Sequence, residues 1–409
     1  MRFAARDAWM AAMLAGCVTA RCAPVDFGRV PLHESKSAPV TLSINRPVRV
    51  SEISVRTLGK ENADFLIAGK STCRLKAQYF PEATCTVVVS FRPRAAGVRL
   101  GAVILTDAAG APVATAYLHG IGVDRKPRTP LKEKTVIEGL SHPNGVAVDE
   151  HGSLFVVTTK QGTGFHNGSI FEELPLPSGD FASIPRVIGI YGQRVIAIDG
   201  NHNLFVAGTG MYVYKETPSR YGNYVESSIG GPMGAQCGIA VDGAGNVYVS
   251  DCNDNVLYKE TLQTNGRYSQ TVITRRIHGP MGVAVNGDGA VFVGSQDDKK
   301  IYQETPSGAG YRESTIEGPF VAPQGLAFDS DGNLYVADFA AATIERETPT
   351  ADGYAHTTIL TETNSGYLAI DAAGTLYVSD PGAGTITGVP LAGLPDAEKA
   401  LPQTEAPEN

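Results

Sequence analysis

Three aspartates, Asp251, Asp338 and Asp380, each end a short apolar run, reading VSD, VAD and VSD. Carboxylates brought together in this way could hold a hard, oxygen-seeking cation such as Ca2+. The competing reading is local: an Asp at a strand end accepts backbone N–H groups of its own turn. Three histidines, His142, His166 and His278, stand in loop-like stretches, where imidazole could move protons or bind a metal. A loop histidine is more commonly a solvated or turn residue, and none of the three falls in a recognisable motif. Asn144, Arg194, Gln236, Arg276, Gln296 and Gln324 occupy similar positions and offer hydrogen bonds and positive charge. GxSxG, Walker A, HExxH and dinucleotide fingerprints are all missing from the sequence. The residues suit recognition, and no catalytic residue is assigned.

The cysteines point to a compartment. Cys73 and Cys85 lie 12 apart, and Cys237 and Cys252 lie 15 apart. Two such disulfides would each close a short loop, worth roughly 3 kcal/mol, and would require an oxidising environment. Zinc is the rival, but no CxxC or CxH spacing accompanies the pairs. The first residues read as an export leader, with Arg2 and Arg6 ahead of a short apolar run from Ala8 to Gly16. Leu14-Ala15-Gly16-Cys17 matches the cleavage and lipidation pattern of bacterial lipoproteins, with Cys17 as the lipidated residue; cleavage after Val18-Thr19-Ala20 is the alternative. Asp7 is unusual for such a leader. The expected location is exported, as a cell-envelope lipoprotein, periplasmic or secreted, with no transmembrane segment.

Charge narrows the partners. Residues 25–124 carry 12 Lys/Arg and 8 Asp/Glu, whereas residues 131–395 carry 15 and 29. A surface that tracks phosphates needs the opposite balance, so nucleic acid is not an expected partner.

These side chains need a frame, and the frame repeats. GVAVDEHGSLFVV from Gly145 recurs as VIAIDGNHNLFVA, GIAVDGAGNVYVS, GVAVNGDGAVFVG, GLAFDSDGNLYVA and YLAIDAAGTLYVS. The turn residues Asp149, Asp199, Asp242, Asn286, Asp329 and Asp371 are spaced by 50, 43, 44, 43 and 42. A β pattern of this period indicates a propeller with about one blade per repeat. The Asp or Asn can bond backbone N–H groups in its turn, and a glycine three residues on allows positive φ. A strand at Lys134–Glu138 is expected to complete the last blade. Loops entering the innermost strands and loops joining second and third strands then share one face, which collects the candidates above with Phe339.

The six units resemble NHL repeats, which implies a six-bladed β-propeller over residues 134–395. Related propellers include gluconolactonase-type lactonases, whose metal is held by a Glu, two Asn and an Asp. Pro143-Asn144-Gly145 resembles one of those Asn contexts, but the early Glu and second Asn are not evident. Streptogramin-type lyases rely on channel histidines, and no matching motif surrounds His142, His166 or His278.

Residues 25–123 alternate in short strands (VTLSI, SEISV, TVVVSF, GAVILT) without helices, which suggests a sandwich in which each strand buries one face. Asp26-Phe27-Gly28, Cys73 before Cys85-Thr86-Val87, Phe91-Arg92-Pro93 and Leu118-His119-Gly120 resemble bacterial Ig-like domains of the Hydin, choice-of-anchor D type. That likeness implies a spacer or docking module. Residues 1–24 form the leader, 124–133 a proline-stiffened linker and 396–409 a disordered tail. The expected protein is all-β, an N-terminal Ig-like β-sandwich followed by the propeller. It would bind a protein, peptide or glycan through the loop face, with no cofactor, or with Ca2+ or another divalent cation there. The alternatives are a metal-dependent lyase or lactonase at the channel mouth and a purely structural envelope protein.

Overall fold

The computed structural model describes residues 23–124, 135–159, 168–176, 178, 180–190, 192–308, 310–364 and 366–392. Cys17, His166, the leader, most of the linker and the tail beyond residue 392 lie outside the described residues. Every regular element among the described residues is a strand.

The N-terminal unit has two principal sheets. One runs Val25–Pro31, Pro112–Val123, Gly97–Thr106, Glu52–Thr57 and Lys60–Glu61; the other runs Lys36–Ile44, Ala83–Phe91 and Phe65–Ile67. Ala83–Phe91 buries alternate side chains, as a strand with one covered face must. Between the sheets the rings of Phe27, Phe65 and Phe91 meet at centroid distances of 4.7–5.7 Å. Disulfides link Cys73 to Cys85 and Cys237 to Cys252, the pairs expected from spacing.

The apolar run of Gly97–Thr106 departs from expectation. From Gly101 onward it is buried on both faces, with Ala102 and Ile104 packed against Tyr117 and Ala244 of the C-terminal region. A strand without alternation is one covered twice.

Six four-stranded antiparallel sheets follow. Each innermost strand packs on the next, and Pro143–Val148 packs on Leu368–Ile370, so the sheets form a closed propeller-type ring. The last sheet takes its fourth strand from the start: Thr135 pairs with Gly388, Val136 with Thr387 and Ile137 with Ile386. The turns work as their sequence suggests. Asp199 Oδ1 accepts the N–H groups of Asn201 and Asn203 at 2.8 and 2.9 Å, and its five counterparts do the same. Second strands place Phe155, Phe205, Tyr248, Phe292, Tyr335 and Tyr377 at matching positions between sheets. The tyrosines among them donate to their turn aspartates, for example Tyr335 to Asp329 at 3.1 Å.

The two units are docked rather than strung apart. Tyr117 donates to Asp242 at 3.0 Å, and Gly200 N donates to the Leu58 carbonyl at 2.8 Å. Gly243 lies against the Gly101 backbone, and Gly287 against the His119 ring. The five-stranded sheet therefore covers the turn face of the ring. Small turn residues in the second, third and fourth sheets admit it.

Candidate functional site

With the turn face covered, the opposite mouth is where the ring meets solvent. Below it the channel is tight because glycines bring neighbouring inner strands together. A Cβ on Gly145 would lie 2.7 Å from the Arg194 carbonyl oxygen, and one on Gly325 2.7 Å from that of Gly366. The remaining channel cavity is about 50 Å3. In the sixth repeat Tyr367 stands where four others have glycine, and its side chain lines both this cavity and the mouth above. Burial raises its hydroxyl above the usual range, and the nearby Arg194 charge only partly opposes this. The phenol is a neutral plug.

At the mouth a cavity of about 280 Å3 is lined by Asn144, Arg194, Gln324, Phe339, Asn364 and Tyr367, among others. Four predicted residues, Asn144, Arg194, Gln324 and Phe339, meet here. Arg194 is exposed, and Phe339 is 49% exposed. Asn144 is oriented by donating to the His142 carbonyl at 3.0 Å and to Thr159 Oγ1 at 3.3 Å. The arrangement supplies amides, one guanidinium and one aromatic face, a set suited to hydrogen-bonded recognition.

Other predicted residues have different employment. Gln236 is buried and ties its sheet to the preceding one, accepting from Gly208 N at 3.1 Å and donating to the Gly210 carbonyl at 2.8 Å. Asp251 is fully buried and accepts N–H groups of Gly234, Ala235, Asn253 and Asp254. Asp338 accepts those of Val321, Ala322 and Ala341, and Asp380 that of Ala383. The local reading of these aspartates, as fasteners of their own loops, describes their geometry. Their carboxylates do not converge into a cluster, and the same holds for His142 and His278 among the described residues. The ring of His278 pairs with Asp298 at 3.1 Å. Burial alone would raise that carboxyl, but the His278 backbone N–H and ring, with Tyr302, hold it at about 2. Gln296 and Arg276 are exposed, and neither lines the mouth cavity.

Tyr367 and Asn364 escaped sequence reasoning as site residues. For Tyr367 a signal existed: the break in the glycine pattern of the inner strands. A larger groove of about 770 Å3 runs down the flank between Ile137–Ser141 and the first sheet, lined by Phe171, Phe181 and Ile188, and contains no predicted residue.

No protein-family model matches the chain, and no curated protein matches it. Among solved structures, a putative gluconolactonase is 14% identical, with a TM-score of 0.49, over 64% of this chain and 92% of its own. An inactive virginiamycin B lyase variant from Staphylococcus aureus, solved with quinupristin, is 16% identical, with a TM-score of 0.45, over 64% and 89%. The structure of U3-55K is 9% identical, with a TM-score of 0.47, over 64% and 100%. At such identities and scores, these likenesses carry nothing about activity. Among the described residues no helix is long and apolar enough to cross a membrane.

Proposed function

We propose that the chain is an exported binding protein, an Ig-like sandwich seated on a six-bladed propeller of NHL type. Its ligand is an oligosaccharide or short peptide held at the open mouth. The observation that carries this reading is the asymmetry of the ring. One face is covered by the sandwich, the channel is closed by Tyr367, and the uncovered mouth gathers Asn144, Arg194, Gln324 and Asn364 around an exposed Phe339. Amides and a guanidinium match hydroxyl, carbonyl and carboxylate groups, while the Phe339 face offers a surface for a sugar ring or apolar side chain. The two disulfides support an oxidising compartment.

The test is an array of oligosaccharides and short peptides probed with the purified protein, followed by calorimetry on any hit. Binding should be lost in Arg194→Ala and Phe339→Ala and kept in Arg220→Ala, a change on an exposed loop away from the mouth. A hit that survives both mouth substitutions, or an array with no hit, refutes the proposal.

A further inference from the structure

On the covered side, three side chains break the repeat pattern together. Position three after the turn aspartate is glycine in five turns, Gly152, Gly245, Gly289, Gly332 and Gly374, with φ of 76–87°. In the second turn it is His202, held at φ 59°, a left-handed conformation costly for a side chain with a Cβ. Position one is Gly200, Gly243, Gly287, Ser330 or Ala372 elsewhere, but Glu150 in the first turn. His151 follows it. Neither histidine belongs to the mouth, and nothing in the turn frame calls for either.

The two turns are neighbours, and the three residues meet. His202 Nε2 lies 3.4 Å from Glu150 Oε1, and its Nδ1 lies 3.8 Å from Asp149 Oδ2. The His151 and His202 rings face each other at 6.0 Å, and ligand atoms of Glu150, His151 and His202 all lie within 4.8 Å of one another. The backbone of each turn is preset, since His151 N donates to Asp149 at 2.8 Å and His202 N to the Asp199 carbonyl at 3.0 Å. A tetrahedral cation with bonds of ~2.05 Å places its donors ~3.4 Å apart. Glu150 and His202 already have that separation, and exposed His151 can rotate to it.

We propose that Glu150, His151 and His202 form a binding site for a borderline divalent cation such as Zn2+, clamping the first two sheets beneath the sandwich. Two imidazoles and one carboxylate are a three-ligand set for this class of metal, with water in the fourth position; Ca2+ would need six to eight oxygens. Glu150 supplies the carboxylate, with its Oε1 3.4 Å from His202 Nε2. Arg99 and Lys60 bring positive charge from the sandwich, and Glu150 with Asp149 offsets it.

The experiment uses untagged, chelator-washed full-length protein. Thermal unfolding is followed with Zn2+ or Ca2+, and Zn2+ stoichiometry is measured by calorimetry. One Zn2+ should bind and raise Tm by several degrees, while Ca2+ leaves Tm unmoved. His202→Gly restores the glycine of the other turns, so its metal-free Tm should equal or exceed the parent's, and its Zn2+ shift should vanish. His151→Ala should weaken the shift, and His278→Ala should keep it. A parent that shows no Zn2+ shift, or a His202→Gly variant that shifts as much as the parent, overturns the site.

Discussion

Stability should fall as pH rises from about 5 to 8, because a row of buried glutamates would be forced to ionise. Glu216, Glu260 and Glu304 occupy one position on the third strands of successive sheets, opposite Leu204, Val247 and Val291. They are only 2%, 0% and 3% exposed. Burial raises all three carboxyls to about 7; Glu226 adds to this at Glu216 and Glu313 at Glu304, while Gln270 opposes it at Glu260 and Arg276 at Glu304. The folded protein therefore binds these protons more tightly than the unfolded chain does. Their stabilising effect is complete below about pH 4.5 and is lost as pH climbs through about 7. Moving one carboxyl from 4.5 to about 7 corresponds to ~3 kcal/mol, of which ~2.5 falls between pH 5 and pH 8. Three independent groups set a ceiling of ~7.5 kcal/mol over that interval. His356, raised to about 9 by its hydrogen bonds to Glu345 and Glu347, changes stability in the same direction. Urea unfolding at both pH values measures the effect, and the triple variant E216Q/E260Q/E304Q should flatten most of it. Stability that is level or higher at pH 8, or a slope unaltered in the triple variant, would refute the reasoning.

Deleting residues 135–139 should unfold the whole ring at lower temperature, since it removes the strand paired with Thr385–Pro390 and leaves that edge bare; a calorimetric scan unchanged from the parent would contradict this. Gly243→Leu forces a side chain into the Gly101 backbone and should unseat the sandwich, seen as new protease cleavage between the units with the ring still folded. Tyr117→Phe removes one of three donors to the buried Asp242 Oδ2 and should cost about 1 kcal/mol in urea unfolding, with Tyr248 and Asn246 retained. Non-reducing peptide mapping should recover Cys73–Cys85 and Cys237–Cys252, and reduction should lower stability by roughly 3 kcal/mol per bridge.

Much of the frame was legible because each signal is local. The turn aspartates bond N–H groups two and four residues on, the paired cysteines close short loops, and Thr135–Ile137 has the pattern of the strand it replaces. The seating of the sandwich was not legible, because it depends on two distant stretches fitting together. GAVILT reads as an ordinary strand until Ala244 is known to press on Ala102 and Ile104. Its lack of alternation was nevertheless a trace of the second face. At the mouth, position on the repeat grouped Asn144, Arg194 and Gln324, and all three line one cavity. It could not distinguish them from Gln236 and Asp251, whose polar atoms are taken up by backbone groups of nearby loops. Side-chain type shows what a residue can bond; which partner arrives first depends on chain geometry.

The departures from the repeat divide between the two ends of the ring, and that division argues for two separate roles. At the covered end, Gly200, Gly243 and Gly287 are small because backbone and side chains of the sandwich press on them. Glu150 and His202 are large where that pressure leaves room, and they face each other across the first two sheets. At the open end the inner strands converge so closely that glycine is needed at Gly145 and Gly325, yet Tyr367 interrupts the series and fills the space beneath the mouth. On the proposed reading, Tyr367 would give a ligand at the mouth its floor, since it lines the cavity together with Arg194 and Gln324. Tyr367→Gly should therefore deepen the cavity and weaken any ligand held at the mouth, while the cation site at the other end keeps its affinity.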